Sequence, residues 1–331
     1  MNAPTPDLAT QFEAVRHGGV VCRPAQLGLI RVAGDDAGSF LHTQLTNAID
    51  DLATGTARLA GYCSPKGRLL ASFLAWRDEE GIVLQLSADL QPAIQKRLSM
   101  FVLRAKARLS DLTPERAVLG VAGAGAAAAL EAAGLPAPAQ PWSTAAAGAA
   151  TVIRLPDGAG QPRWQVVLPA GQAAQAQVAL SVQLLPADAA VWDWLEVQAG
   201  VPRIAAATQE QFVPQMINLE LVGGVSFRKG CYPGQEIVAR SQYRGTLKRR
   251  MWLVHGEGDV PAAATEIFRP EDPEQPCGMV VNAAAAPQGG WDGLAELKID
   301  AAGGALHLGS ASGSPVRVGE LPYAVPFGDA A

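Results

Sequence analysis

The chain has 331 residues, which is long enough for two or three domains that each bury a hydrophobic core. Hydrophobic residues make up 49% and charged residues 17%, a composition that excludes a mostly disordered chain. The formal net charge of −5 argues against a general nucleic-acid binder, because phosphate contacts require a broad basic surface.

The sequence shows no targeting segment or local metal site. Residues 1–19 lack the apolar core of a signal peptide, and no later run approaches the roughly 18 apolar residues of a membrane span. We therefore expect a cytoplasmic protein without a membrane partner. The four cysteines, at 22, 63, 231 and 277, form no CxxC pair and have no histidine at ligand spacing. Reduced thiols without a bound metal fit this pattern.

The first third of the chain mixes strands and helices. An apolar run over 27–32 predicts a strand that enters a helix. Residues 56–87 contain three apolar runs separated by turn-forming residues, which predicts an antiparallel meander. A helix over 89–102 and a strand over 117–121 follow. This order lacks the strict alternation of βαβ units.

A second group of similar elements follows residues 122–150, which are rich in Ala, Gly and Pro and which we interpret as a seam. TVIRL and WQVVLP, within 151–169, predict a hairpin, and helices are expected over 173–180 and 187–198. Strand and helix content on both sides of the seam predicts an α+β fold of two subdomains with antiparallel sheets.

The end of the chain has a different pattern. From residue 245 onward, short apolar segments alternate with Gly and Pro turns and show little helical periodicity. We expect residues 1–244 to form the two-subdomain body and residues 245–331 to form a small β-barrel.

The segment KGCYPGQE contains the strongest chemical signal. Lys229 lies two residues before Cys231, and a nearby ammonium stabilises a thiolate, the reactive form of cysteine. Gly230 allows the backbone to approach a neighbour closely. Pro233 and Gly234 suit the two central positions of a type II turn. We predict that Cys231, assisted by Lys229, is the reactive group of a rigid loop.

Glu236 follows this turn at the start of an apolar run, which predicts a carboxylate at a strand end facing a pocket. A carboxylate can accept the two parallel N–H donors of a pterin edge. Seven basic residues and one acid give residues 228–250 a charge of +6, against −11 for the rest of the chain. The basic residues are Arg228, Lys229, Arg240, Arg244, Lys248, Arg249 and Arg250. This cluster suits an anionic tail.

Local physics leaves plainer alternatives open. A single intracellular cysteine is often an inert small hydrophobe, and a turn followed by Glu is often only a turn. A basic cluster is frequently a solvated face.

A longer match adds to this interpretation. The stretch FVPQMINLELVGGVSFRKGCYPGQEIVAR, residues 212–240, resembles the signature of the YgfZ family, folate-binding proteins related to the glycine-cleavage T-protein. Residues 40–49, 62–78 and 195–204 also resemble that family. The similarity is weakest in the Ala-rich middle and the C-terminal segment.

The resemblance implies a T-protein-like architecture, with two α+β subdomains and a C-terminal barrel around a central folate channel. It implies tetrahydrofolate or a derivative as cofactor, and a role in the assembly or repair of iron-sulfur enzymes, including tRNA-modifying ones. Carried onto this chain, the essential cysteine is Cys231. The other matching motif residues are Lys229, Gly230, Tyr232, Gly234, Gln235 and Glu236, with Arg240 after them. Iron-sulfur client enzymes or assembly proteins are the implied partners, without direct nucleic-acid binding.

The family pattern also marks Trp192 and Leu27. Trp192 lies in a helix before AGVPRI, where an indole face resembles a stacking surface for folate. Core packing is its simpler role. Leu27 occupies a position near the first strand where related sequences lead us to expect an aromatic residue.

Two other functions compete with the accessory role. One is a folate-dependent aminomethyltransferase, which needs a carboxylate beside the folate. The corresponding segment, 66–76, contains no Asp or Glu, and a T-protein lacks the cysteine that stands at 231. The other is a thiol-based redox or scaffold protein that uses Cys231 without folate. A folate titration separates that class from the first.

Overall fold

Three β-sheets organise the chain, two of them open and one closed into a barrel. The computed structural model describes residues 6–243 and 247–326. Its α-helices are α1 (Leu8–His17), α2 (Ala37–Gln44), α3 (Gln91–Ser99), α4 (Ala126–Ala132), α5 (Ala173–Leu180), α6 (Ala189–Gln198) and α7 (Gln235–Tyr243). None of the helices in these ranges is long and apolar enough to cross a bilayer.

The strands of the body are β1 (Val20–Cys22), β2 (Leu27–Ala33), β3 (Ala57–Cys63), β4 (Leu69–Asp78), β5 (Gly81–Ser87), β6 (Arg108–Asp111), β7 (Arg116–Ala122), β8 (Thr144–Ala147), β9 (Ala150–Gly158), β10 (Gln161–Pro169) and β11 (Leu185–Ala187). The C-terminal strands are β12 (Arg249–Gly256), β13 (Glu266–Phe268), β14 (Gly278–Ala285), β15 (Trp291–Lys298), β16 (Leu306–Leu308) and β17 (Pro315–Gly319).

The first sheet has five strands in the order β3-β4-β5-β2-β6. Strands β3, β4 and β5 form the predicted meander, and Asp78 pairs with Gly81 across a two-residue turn. Alternate residues of β4 serve different cores. Phe73 packs with the helices on the outer face, whereas Leu74 and Trp76 face the second sheet. This burial of alternate residues in two cores explains why β4 is mostly apolar from Leu69 to Trp76.

The second sheet has six strands in the order β11-β1-β7-β10-β9-β8. Its N-terminal strand β1 pairs in parallel with β11 and antiparallel with β7. Since β7 also pairs with β10, the predicted seam over 122–150 lies inside one sheet. The seam prediction is therefore wrong, and the chain changes sheet earlier, between β6 and β7.

The Ala-rich stretch misled the prediction because its turn-forming residues suggested a linker. It instead forms α4, which covers one face of the second sheet with Leu130. The loop after it is fixed by hydrogen bonds, from Trp164 Nε1 to Pro138 O (2.9 Å) and from Trp142 N to Arg154 O (2.7 Å). A loop that satisfies its backbone groups in this way belongs to the domain it crosses.

The two open sheets pack face to face and give the body four layers. Leu74 and Trp76 of β4 meet Ile153 and Leu155 of β9 between the sheets. Helices α2 and α3 cover the outer face of the first sheet, while α4 and α5 cover the outer face of the second. The predicted α+β body with antiparallel sheets is confirmed.

The C-terminal strands close into the expected barrel, in the order β12-β15-β14-β13-β16-β17. Helix α6 of the body packs against β14 and β15. Asp292 of β15 anchors this contact, because one carboxylate oxygen accepts hydrogen bonds from Trp194 Nε1 (2.7 Å) and Gln198 Nε2 (2.8 Å). Its other oxygen lies 2.9 Å from His255 Nδ1. The boundary predicted between residues 244 and 245 lies outside the described residues.

A buried ion pair makes a second connection between barrel and body. Arg250 of β12 binds Glu220, with side chains only 4% and 5% exposed, and also donates to Gln215 O at 3.0 Å. Burial raises the pKa of Glu220, and the arginine opposes that shift. Each charge thus depends on the other for compensation.

Replacement of Arg250 by Met should leave the Glu220 carboxylate buried without a partner. We expect the free energy of unfolding to fall by about 3–5 kcal/mol, measured by urea denaturation at pH 7. A second substitution, Glu220→Met, should recover part of that loss because it removes the stranded charge. A loss below about 1 kcal/mol in Arg250→Met would contradict the view that the pair is desolvated.

Candidate functional site

The loop that carries Cys231 is shaped by two tight turns in contact. Tyr232 O accepts a hydrogen bond from Gln235 N (3.2 Å), and Gly234 has φ +79°, as the predicted type II turn requires. A Cβ built on Gly234 would lie 2.4 Å from Ser64 O and 2.7 Å from Gly67 N. Only glycine permits this approach. The turn after β3 therefore packs directly against the backbone of the loop. Cys231 itself is exposed.

Lys229 fixes the other side of the loop. Its Nζ donates to His42 O and to Leu45 O (2.8 Å), carbonyls at the C-terminal end of α2. The ammonium also lies 4.7 Å from the centre of the Tyr232 ring. Partial burial lowers the pKa of Lys229 to about 8, and the nearby Asp50 and Cys231 oppose this shift. At neutral pH the group therefore remains mainly a cation beside the loop.

The Tyr232 side chain is buried under the loop and is not part of the loop's exposed surface. The ring is 7% exposed, and burial, with Cys63 nearby, raises its pKa above the ordinary range. Tyr232 therefore supports the loop from the interior. Gly230 is exposed and Gln235 is half-buried.

The strand expected after the turn is a helix. Residues 235–243 form α7, so Glu236 lies in the first turn of a helix. Its side chain is 81% exposed and pairs with Arg240 one turn later (2.7 Å). The sequence prediction of a strand end facing a pocket is wrong, because the short apolar run after Glu236 forms the first turns of a helix, of which Val238 is the buried residue.

The basic cluster separates into individual pairs. Arg250 binds Glu220, Arg249 binds Glu296 (2.8 Å) and Arg240 binds Glu236. Arg244 lies outside the described residues. Glu220 and Glu296 lie outside residues 228–250 and offset two of the six positive charges, so a count along the sequence overstated the charge of the cluster.

Trp192 is in the core of the body. It is fully buried, and a Cβ on Gly120 of β7 would lie 2.3 Å from its ring. The guanidinium of Arg163, a residue of β10, lies 5.3 Å from the centre of the Trp192 ring. These contacts cover the indole, so the structure does not support the predicted stacking of Trp192 on a ligand. Its Nε1 instead donates to Glu196 Oε1 (3.1 Å).

Glu196 leads to a cavity between the two sheets. The cavity proper is narrow, about 60 Å³, within about 530 Å³ of empty space that includes its opening to solvent. Leu27 lies in its wall, at the place where the sequence suggested a missing aromatic residue. The other lining residues are Leu59, Ser72, Phe73, Leu74, Gln85, Leu86, Trp142, Leu155, Arg163, Gln165, Glu196, Val201, Pro202 and Arg203.

The polar groups of the cavity include one carboxylate and, among the described residues, one donor atom without a partner. Glu196 Oε2 is 3.6 Å from Arg203 Nη2. Arg163 is 2% exposed; its Nε donates to Pro156 O (2.7 Å), whereas its buried Nη1 has no hydrogen-bond partner within the described residues. Burial lowers the pKa of Arg163 to about 10, so it stays charged at neutral pH. A buried charged donor without a partner is costly unless a ligand or water satisfies it.

Two amides complete the floor of the cavity. Gln85 of β5 and Gln165 of β10 exchange hydrogen bonds across the gap between the sheets, at 3.0 and 3.3 Å. This buried pair joins the two subdomains. Its amide groups also provide hydrogen-bond donors and acceptors for a ligand between the sheets.

The cavity and the thiol are separate. None of the loop residues 229–236 is among those that line the cavity. Strand β4 connects the two places, running from the turn that touches Gly234 to Ser72 and Phe73 in the wall. At about 3.3 Å per residue, the cavity wall lies roughly 15–20 Å from Gly67 along that strand.

Glu196, Arg163 and Gln165 are cavity-lining residues that the sequence predictions did not single out. Glu196 follows Trp192 by one helical turn, and this spacing places both on the same face of α6. Arg163 and Gln165 are polar residues two apart in an otherwise apolar strand, and so share the inner face of β10. Both periodic signals were visible in the sequence.

Comparisons with known proteins agree with this architecture. Residues 5–154 match the family model of the GCVT N-terminal domain. The tRNA-modifying protein YgfZ of Edwardsiella ictaluri is 34% identical over 301 residues, which cover 89% of each chain. The tRNA-modifying protein YgfZ of Escherichia coli K12 is 30% identical over 240 residues, 72% of this chain and 73% of the relative.

A solved structure gives the fold. The glycine cleavage system aminomethyltransferase T of Bartonella henselae superimposes with a TM-score of 0.72 at 19% identity, covering 95% of this chain and 88% of the other. The predicted T-protein-like architecture, two open sheets and a barrel, is confirmed.

Asp193, three residues before Glu196 on α6, gives a testable electrostatic prediction. Burial raises the pKa of Asp193 to about 6, the Glu196 charge adds to the shift, and Arg203 opposes it. The folded state therefore binds this proton more tightly than the unfolded state, whose carboxyl pKa is near 3.8. Asp193 thus favours folding below pH 4, and this contribution is lost as the pH rises to about 6.

Replacement of Asp193 by Asn should remove this pH dependence. We expect the variant to be more stable than the wild type by about 1–3 kcal/mol at pH 8, with the difference shrinking towards pH 4. Urea unfolding at both pH values measures it. Parallel stability profiles for the two proteins from pH 4 to 8 would show that Asp193 has an ordinary carboxyl environment.

Proposed function

This chain belongs to the YgfZ family, and from that membership we propose that it is a folate-binding accessory protein of tRNA modification. In this proposal it acts through iron-sulfur enzymes, whose assembly or repair it supports in the cytoplasm. The observation that carries the proposal is the presentation of Cys231, an exposed thiol on a loop held by Lys229 and by two touching turns.

The loop favours a chemical role for Cys231 over an inert one. The other three cysteines are buried, and burial raises the pKa of each of their thiols. Cys231 alone among them is exposed, beside a cation whose position is fixed by two carbonyl groups. A thiolate at that place can reach a cluster, a sulfur species or a cysteine on a client enzyme.

The cavity between the sheets is the place we propose for folate. A pterin edge presents an N–H and an amino group beside a carbonyl oxygen. The Glu196 carboxylate can accept from the two donors, while the unpartnered Nη1 of Arg163 can donate to the carbonyl. These residues fit the group, with Glu196 in the role that the sequence suggested for Glu236.

The narrow cavity implies that ligand binding widens it. At about 60 Å³ it is smaller than ordinary small-molecule pockets, which enclose roughly 300–1,000 Å³. Trp142 is half-buried in the wall, on a loop between the sheets. In this proposal a change in its side-chain rotamer enlarges the space, as such changes are common on binding.

The structure offers less support for an aminomethyltransferase. The cavity residues contributed by β4 are Ser72, Phe73 and Leu74, none of which carries a carboxylate. The transferase reaction needs an acid in that position beside the folate, which the segment 66–76 does not contain. The accessory role therefore remains the better proposal.

Loss of the thiol should abolish the function. We expect Cys231→Ala, expressed in an Escherichia coli strain that lacks its own YgfZ, to support tRNA-modifying iron-sulfur enzymes no better than an empty vector. Cys277→Ala, which removes a thiol from the barrel interior, should support them as the wild type does. Full activity with Cys231→Ala at equal protein level would disprove the thiol mechanism.

Folate binding should depend on Glu196. We expect tetrahydrofolate to bind the purified protein saturably, and Glu196→Gln to weaken binding by roughly 10–100-fold, as loss of a charge-assisted hydrogen bond does. Calorimetric titration measures this. Glu236→Gln is the matched control and should bind as the wild type does. If Glu236→Gln weakened binding and Glu196→Gln did not, the pterin contact would belong to Glu236. If the wild type did not bind tetrahydrofolate, only the thiol-based role would be left.

A further inference from the structure

A second pair of ionisable residues lies beside the reactive loop. His42 is in the last turn of α2, and its Nδ1 lies 2.5 Å from Asp50 Oδ1. The His42 side chain is 18% exposed, and that of Asp50 is 51% exposed. A carboxylate oxygen this close to Nδ1 favours the tautomer with its proton on that nitrogen, although the two groups are not aligned as a hydrogen bond. The other nitrogen, Nε2, is then left with a free lone pair, the arrangement of a general base oriented by an acid.

The free nitrogen faces the loop at its reactive end. A Cβ built on Gly230 would have His42 Nε2 as its nearest atom, at 3.8 Å. Lys229, on the other side of Gly230, binds the backbone carbonyl of His42 itself. The loop is thus attached to the residue whose ring it faces. Cys231 follows Gly230 directly, about 3.8 Å further along the Cα trace. None of the hydrogen bonds found in the described residues joins this exposed thiol to Nε2, so a proton transfer between them requires one bridging water or a rotation of the cysteine side chain.

The neighbouring charges leave this nitrogen unoccupied. Asp50 is taken by Nδ1, and Asp51 is bound by Arg58 (2.6 Å). The Lys229 ammonium is directed to the carbonyls of α2. The charged groups found near the imidazole are Asp50, Asp51, Lys229 and Arg58, with Arg77 close to Asp50, and none of the hydrogen bonds found in the described residues uses Nε2 of His42.

We propose that His42, oriented by Asp50, is the proton acceptor that converts the Cys231 thiol into the thiolate. The S–H bond breaks and an Nε2–H bond forms, so one proton moves from sulfur to imidazole and no electron is transferred. The products are a thiolate and an imidazolium, with the Lys229 ammonium nearby. The inference rests on the proposed role of Cys231 as the reactive group, and it extends that role to a Cys231–His42–Asp50 arrangement.

The pH profile of alkylation tests this arrangement. Iodoacetamide reacts with thiolates, and mass spectrometry of the Cys231 peptide gives its rate separately from the buried cysteines. We expect His42→Gln to raise the pH of half-maximal rate by roughly one unit and to lower the rate at pH 7 about tenfold. Asp50→Asn should shift the profile in the same direction by a smaller amount. This variant no longer favours the Nδ1–H tautomer of His42, but the imidazole ring is still present.

The controls separate a chemical role from a structural one. His17→Gln replaces an exposed histidine in the last turn of α1 and should leave the profile unchanged. Added imidazole should restore part of the rate in His42→Ala, which a merely misfolded loop would not show. If the His42 variants fail to fold, Asp50→Asn still decides the question, because it keeps the imidazole ring.

The outcomes distinguish the inference from the proposed function. Identical profiles for wild type, His42→Gln and Asp50→Asn would overturn the role of His42, even if Cys231→Ala still lost all support of client enzymes. A shifted alkylation profile in Lys229→Met, without a shift in His42→Gln, would also overturn the role of His42 and would assign the effect to the Lys229 ammonium. A shifted His42→Gln profile with fully active Cys231→Ala would support the proton acceptor and refute the proposed function.

Discussion

The contact between two glycine turns sets the geometry on which the reactive loop depends. Gly67, after β3, and Gly234, after Cys231, approach so closely that a Cβ on either one would overlap the other turn or a neighbouring side chain. The backbone itself is therefore the contact surface, and neither turn can shift without the other. From this contact α7 begins on one side, while Cys231 is presented to solvent on the other.

A second constraint connects the loop to α2. The Lys229 ammonium satisfies carbonyls that the last turn of a helix leaves without partners, and a cation is favourable there because of the helix dipole. One side chain thus caps a helix, positions a loop and supplies a charge near a thiol. It also brings His42, on that same helix turn, to the loop.

In the body, strand β4 separates the reactive loop from the cavity between the sheets. The loop lies at one end of β4, and the cavity between the sheets lies further along it, with Glu196 and Arg163 as its buried charges. Because the strand is buried on both faces, a ligand in the cavity and the thiol at its start are linked by a rigid element. In the proposed function, folate would stabilise the packing of the sheets that carry the loop, instead of touching the sulfur.

The sequence by itself determined the local features: the meander, the barrel, the type II turn at Pro233 and Gly234, and the segment containing Cys231. Each depends on residues close together in the chain, through period-two burial or the φ angle of one glycine. Only the tertiary structure decided which charges are free, that Glu236 is a helix residue at the surface, that Trp192 is covered by Gly120 and Arg163, and that the Ala-rich stretch crosses a single sheet. The physical reason is that burial and ion pairing depend on neighbours far apart in sequence, such as Arg250 and Glu220 or Lys229 and His42, which no local pattern records.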